Sequence, residues 1–118
     1  MRLIEVVERL DLAVLCGREH LEREVRGGYA SDLMSDVIGN AGEAVVWVTV
    51  QTHLNIVAIA IMKDLAAIVL AGGREPEPET LARARDESVP LLSSRLTAFE
   101  LVGRLYGLGL RGGRQEGA

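Results

Sequence analysis

The chain has 118 residues, enough for one domain with its own core, because a chain of this length buries roughly two-thirds of its unfolded surface. It is 48% hydrophobic but only 3% aromatic, so the core is aliphatic, with Trp47 as its one indole; the net charge of −4 and the scatter of the arginines leave no basic stripe for a phosphate backbone, which argues against nucleic acid. Cys16 is the single cysteine, so no internal disulfide can form, and its place inside LAVLC reads as a small buried hydrophobe in a reducing compartment. The N-terminal MRLIEVVERLD lacks the apolar region and cleavage site of a signal peptide, and the apolar run Leu54 to Met62 is far short of the roughly 20 residues a membrane span requires. A cytoplasmic protein without membrane contact is expected.

Leu3, Ile4, Val7 and Leu10 share a helical face opposite Glu5, Glu8 and Arg9, which predicts a short amphipathic helix. Leu12 to Cys16, closed by Gly17, suits a buried strand. Glu22 to Arg26 carries charge on both faces and, if a strand, belongs at an edge, with Gly27-Gly28 marking a turn. Ser31 as N-cap, Asp32 in the first turn and Gly39 as a stop bracket a short helix. Glu43 to Val50 is the strongest strand, apolar on both faces as burial between helical layers requires.

Thr52 to Lys63 is rich in β-branched residues and open to a hairpin reading, yet a crossover from Val50 to a strand at Ala66 to Leu70 needs a helix of this length. Pro78, flanked by Glu77 and Glu79 at the positive end of the helix dipole, starts a helix to about Ser88. Leu91 to Ser93 is a short strand. Thr97 and Glu100 form a capping box, with Leu96 and Leu101 as its hydrophobic staple, for a last helix ending near Gly107. The expected fold is therefore α/β, a mainly parallel sheet of about five strands flanked by helices, in one domain over residues 1–110, with 111–118 as a flexible C-terminal tail.

Polar residues gather where strands end and helices begin: Ser31 and Asp32; Thr49, Gln51, Thr52, His53 and Asn55; Gly72, Gly73 and Arg74; Ser93 and Ser94. Ser31 and Asp32 read as a helix cap. The other three groups converge on one edge of a parallel sheet, the place where such folds build pockets. Glycine backbone at Gly72-Gly73 approaches an anion without a Cβ in the way, and Arg74 supplies a bidentate contact to phosphate or carboxylate.

No metal site is expected, since His20 and His53 are isolated, and no nucleophile, since Ser93 and Ser94 lack a base at recognisable spacing. Gly107 to Gly112, GLGLRG, matches a dinucleotide fingerprint but follows a helix instead of a strand, and Lys63 has no Walker A context. No cofactor and no catalytic residue are assigned. Leu54 to Met62 is apolar on two faces, which points to a homodimer through that helix.

Two segments, GGYASDLMSDVIG and AGGREPEPETLARARDESVPLLSSRLTAFE, resemble the DRTGG domain over about residues 3–106: a small-residue segment before a short helix, then a strand, Gly pair, post-proline helix and Thr-Phe helix start. The resemblance implies a fold like the N-terminal domain of HPr kinase and a regulatory, dimerising module that senses a small anionic or nucleotide-like ligand without catalysis. The alternative is an interaction adaptor, since free-standing members occur near iron-hydrogenase genes, which suggests a redox enzyme system as partner with no small-molecule ligand. Where many members carry a Gly-Asp-Arg turn after the central strand, this chain has Val50-Gln51-Thr52-His53-Leu54-Asn55.

Overall fold

Residues 1–115 are described by the computed structural model. Elements follow in the order α1 (Leu3–Leu10), β1 (Ala13–Cys16), a 3-10 turn (Arg18–His20), β2 (Gly27–Ala30), α2 (Met34–Asn40), β3 (Val45–Thr49), α3 (Asn55–Met62), β4 (Ala67–Leu70), α4 (Pro78–Asp86), β5 (Leu91–Ser93) and α5 (Ala98–Gly107). The five strands form one sheet in the order β1-β5-β4-β3-β2. Strands β2 to β5 run parallel, as short βα units dictate, while β1 pairs antiparallel with β5, so the sheet is mixed.

Alternation along the strands divides the core into two layers. Val46, Val48, Ala67, Val69 and Leu92 meet α1 and α5, through Leu3, Val6, Leu101 and Leu105. Val45, Trp47, Ile68, Leu70 and Leu91 meet α2, α3 and α4, through Val37, Ile56, Ile59 and Ala84. Trp47 is fully buried, and its indole N–H donates to Ser31 O at 2.8 Å, the partner that a buried indole needs. The β-branched segment after β3 is a helix: its Ile56, Val57, Ile59 and Ala60 are buried under the sheet, and tertiary burial overrides local strand preference. Leu54, Ala58, Ile61 and Met62 face outward.

Two local expectations differ. Gly27-Gly28 is not a turn but the start of edge strand β2, while Glu22–Arg26 makes only a single bridge, Glu24 to Arg2. Glycine is needed at position 27 because a Cβ there would lie 2.6 Å from Arg111 O, a close backbone approach of the kind that glycine in strands permits. Arg111 to Gln115 run beside this edge: Gly28 N–H donates to Arg111 O at 2.9 Å, Gly113 N–H to Gly28 O at 2.9 Å and Gln115 N–H to Asn40 O at 2.7 Å. Residues 116–118 of the expected tail lie outside the described residues. Helix α2 starts at Met34 after Leu33, not at Ser31, and continues through Gly39. Half of the expected capping box forms at α5, where Thr97 Oγ1 accepts the Glu100 N–H at 3.4 Å. Among the described residues, no helix is long and apolar enough to cross a membrane.

Candidate functional site

Strands β3, β4 and β5 release the chain at one edge of the sheet, and the polar residues picked from the sequence divide there into two groups.

At the β3 end the groups satisfy one another. Thr49 is buried; its hydroxyl donates to Asp32 Oδ1 at 2.8 Å, and the same oxygen accepts the Val50 N–H at 2.8 Å. Gln51 donates through Nε2 to Asp32 O at 3.0 Å and through its backbone N–H to Thr49 Oγ1 at 3.2 Å. Asp32 therefore does not cap α2; it ties the end of β2 to the end of β3. Ser31 Oγ accepts the Leu33 N–H at 3.2 Å, a local turn that replaces the expected cap. Thr52 O accepts from buried Thr80 Oγ1 at 2.8 Å and from Glu77 N–H at 3.2 Å, which fixes α4. His53 Nδ1 lies 2.6 Å from Glu77 Oε2, and Asn55 is exposed at the start of α3.

At the β4 and β5 ends the chain turns at Gly72 (φ +72°) and Gly73 (φ +69°), backbone that favours glycine although no atom crowds either position. Their N–H groups donate to Leu96 O at 2.7 Å and Ser94 O at 2.8 Å, so these amides clip the β4–α4 loop to the β5–α5 loop and are already occupied. Ser94 Oγ accepts the Leu96 N–H at 3.1 Å. Beside this clip opens a cleft of about 730 Å³. It brings together Gly73, Arg74, Ser93 and Ser94, and adds Arg95 and Arg104. Thr49, Gln51, Thr52, His53, Asn55 and Gly72 are not in its lining.

The cleft lies where it does for a topological reason. The connection after β4 runs to α4 on one face of the sheet, and that after β5 to α5 on the other. Two adjacent loops that part in this way leave a crevice between them beyond the strand ends. Arg74, Arg95 and Arg104 are outside every ion pair among the described residues, although Asp11 and Glu75 line the same cleft. Leu15, Leu81 and Leu96 supply an apolar wall.

Sequence reading missed Arg95 and Arg104. Arg95 follows directly on Ser94, a signal within reach, whereas Arg104 is brought in by the crossing of α5 and reads locally as a solvent-facing helical residue. A second hollow, of about 660 Å³, opens at the opposite end of β3; there Arg26 is paired with Glu43 at 2.9 Å. Among the described residues, no group of three or more His, Cys, Asp or Glu could hold a metal ion. Burial pushes the Cys16 thiol up in pKa, and its Sγ donates to Val89 O at 3.3 Å, so this sulfur packs.

These features define a class, the mixed-sheet α/β domain with a polar cleft at the change of helical layer. The DRTGG domain model matches residues 5–108, and the chain belongs to that family. Among solved structures, it aligns over 98% of its length with the CBS and DRTGG domains of the regulatory region of Clostridium perfringens pyrophosphatase, with a TM-score of 0.68 and 13% identity. That structure is a complex with an activator, diadenosine tetraphosphate; the present chain spans 51% of it, and at this identity the likeness is one of fold. No curated protein matches the chain.

Proposed function

We propose that the chain is a non-enzymatic, cytoplasmic regulatory module that senses a small anionic or nucleotide-like ligand in the cleft between the β4–α4 and β5–α5 loops. The observation that carries this reading is the gathering of Arg74, Arg95 and Arg104, free of ion pairs among the described residues, beside Ser93 and Ser94 in a chain of net charge −4. Guanidinium groups bind phosphate or carboxylate bidentately, serine hydroxyls add hydrogen bonds, and an apolar wall suits the organic part of such a ligand. The lining holds no histidine beside the serines, so it offers binding groups and not a serine–histidine pair. That a regulatory region containing this fold takes a dinucleotide activator supports a nucleotide-like ligand here.

Of the residues singled out in the sequence, Arg74, Ser93 and Ser94 are assigned to the ligand, while Gly72, Gly73, Thr49, Gln51 and Thr52 hold the loops, Gly73 doing so in the wall of the cleft. His53 and Asn55 lie at the start of α3 and receive no ligand contact in this reading. The module works as a homodimer. The rival, an adaptor for a redox enzyme without a small-molecule ligand, draws support from the exposed Leu54, Ile61 and Met62 on α3, the helix first expected to form the dimer contact.

Thermal-shift titration with inorganic phosphate, AMP, ATP and diadenosine tetraphosphate tests the reading. At least one compound is expected to raise the melting temperature, and the double variant Arg74→Ala/Arg95→Ala to lose that shift. No shift with any compound, together with co-purification of a protein partner, would leave the adaptor reading; a shift that survives the double variant means that the ligand binds elsewhere.

A further inference from the structure

Beyond α5 the backbone turns at Gly109 (φ +107°), and Arg111–Gln115 form a strap in a slot between the outer edge of β2 and the end of α2 with the loop that follows it. Four main-chain hydrogen bonds hold the strap. On the β2 side Gly28 N–H donates to Arg111 O and Gly113 N–H to Gly28 O, both at 2.9 Å; on the other side Gly42 N–H donates to Gly113 O at 2.8 Å and Gln115 N–H to Asn40 O at 2.7 Å. The slot sets one strict condition on side chains: a Cβ at Gly113 would lie 2.2 Å from Cγ1 of buried, β-branched Val45. The walls are glycine for the same reason, since a Cβ at Gly27 or Gly42 would meet Arg111 O at 2.6 Å or Arg114 O at 2.9 Å. At Gly112, by contrast, a Cβ would meet nothing within 4 Å.

We infer that this slot is a docking site for an extended peptide segment that carries a large aliphatic residue followed by glycine, and that Arg111–Gln115 occupy it in cis until such a segment displaces them. Main-chain pairing along a sheet edge gives affinity to an extended segment, and the pockets beside the edge choose its sequence. The Val45 contact demands glycine at the place of Gly113. Successive side chains of an extended strand point to opposite faces, and Val45 belongs to the layer of α2, α3 and α4, so position 112 faces the α5 layer. There an apolar hollow of about 250 Å³ opens between β2 and α5, with Gly112 at its rim beside Ala30, Val48, Leu105 and Leu110. The strap meets the glycine condition but places another glycine against the hollow and leaves it unfilled. It is therefore an occupant that a better-matched segment outcompetes. The family match over residues 5–108 contains β2, the α2–β3 loop and Val45 and ends before the strap, so the slot belongs to the domain and its present occupant does not.

Amide hydrogen exchange of the full chain, followed by NMR, tests the site, because the Gly28 and Gly42 N–H groups both donate to the strap. Gly113→Val is expected to expel the strap and to speed exchange at both amides by about tenfold or more, the scale of a lost backbone hydrogen bond, while amides of β4 keep the parental rate. A peptide with the sequence of residues 108–115 and the change Gly112→Leu is expected to restore slow exchange at both amides of that variant. It is expected to bind about tenfold more tightly than the unaltered peptide, as burial of an aliphatic side chain predicts, and to lose its effect when it also carries Gly113→Val. Within the full chain, Gly112→Leu alone is expected to slow both amides below their parental rate, a readout independent of how Gly113→Val folds. Parental exchange at Gly28 and Gly42 in Gly113→Val, a peptide that restores neither amide, equal binding with and without the leucine, or a Gly112→Leu chain whose amides are not slowed overturns the site.

Discussion

The two ends of the same sheet edge use similar residues in opposite ways. At the β2–β3 end, Asp32 accepts hydrogen bonds from Thr49 and Val50, its carbonyl accepts one from Gln51, and polar groups are spent on one another. At the β4–β5 end, backbone amides and carbonyls close the loops, and the arginine side chains that line the cleft there are outside every ion pair among the described residues. The difference follows from topology. Loops that leave toward the same helical layer lie side by side and can satisfy each other, whereas loops that part toward opposite layers leave a gap that polar side chains line without filling. Polar residues at strand ends thus hold the fold at one end and line an open cleft at the other.

The comparison breaks most sharply at Asp32. Asp32→Ala removes the acceptor of the Thr49 hydroxyl, which has almost no access to water, and that of the Val50 N–H. A loss of about 2–3 kcal/mol is expected in urea unfolding, the usual scale for hydrogen bonds to a charged group that leave a buried donor unpaired. The ligand-induced shift in melting temperature is expected to survive. Should Asp32→Ala abolish ligand binding while leaving stability unchanged, the roles assigned to the two ends would be reversed.

Thr80→Val probes the strut between them and has a smaller effect. Thr80 is fully buried and bonded to Thr52 O, but that carbonyl keeps its second donor, Glu77 N–H. Loss of a single neutral hydrogen bond predicts about 1–2 kcal/mol, read as a lower urea midpoint at unchanged slope. A change in slope would instead signal that α4 detaches from the sheet.

Much of this architecture was readable in the chain. Pro78 at the start of α4, Thr97 before α5 and the doubly apolar β3 each carry a local cause that survives in the fold, and the family segments extend the same reading over most of the chain. Failures came where distant backbone decides. Gly27-Gly28 looked like a turn because glycine usually punctuates, yet glycine is there to admit Arg111 and Gly113 beside the strand. Ser31 and Asp32 had the signature of a cap, but Thr49 and the β3 backbone compete for Asp32 and win. The polar clusters did converge on one edge, as a parallel sheet requires; which of them would be consumed depended on the layer to which each following helix crosses, a property that local pattern does not encode. Arg104 shows the same limit, since nothing in its neighbourhood in sequence points to the β4–β5 loops.

At the open end, Arg95→Ala is expected to change stability by less than about 0.5 kcal/mol, because an exposed arginine outside every ion pair among the described residues gives up little when truncated. Chemical denaturation and ligand titration on one sample separate the two properties. A loss comparable to that of Asp32→Ala would mean that the open end is structural as well, and the contrast between the ends would disappear.

The smallest effect belongs to pH at the closed end. Hydrogen bonds from Ser31, Asn40 and Tyr29, in that order, hold the Asp36 carboxyl below its ordinary pKa; Tyr29 Oη and Asn40 Nδ2 each donate to it at 2.9 Å. A carboxyl whose folded pKa is depressed contributes stability that is fully present above its unfolded value, about 4 for aspartate, and is lost as pH falls through the lower folded value. Between pH 6 and pH 3 the melting temperature is therefore expected to fall, and in Asp36→Asn the part of that fall due to this group is expected to vanish, giving a shallower profile. The Tyr29 phenol, raised by desolvation and then by Asp36, has the opposite sign: its contribution is present below about pH 10 and declines as pH rises through the higher folded value. If Asp36→Asn keeps the parental slope on the acid side, the Tyr29–Asp36–Asn40 cluster adds nothing to the closed end, and the stability there rests on Asp32 alone.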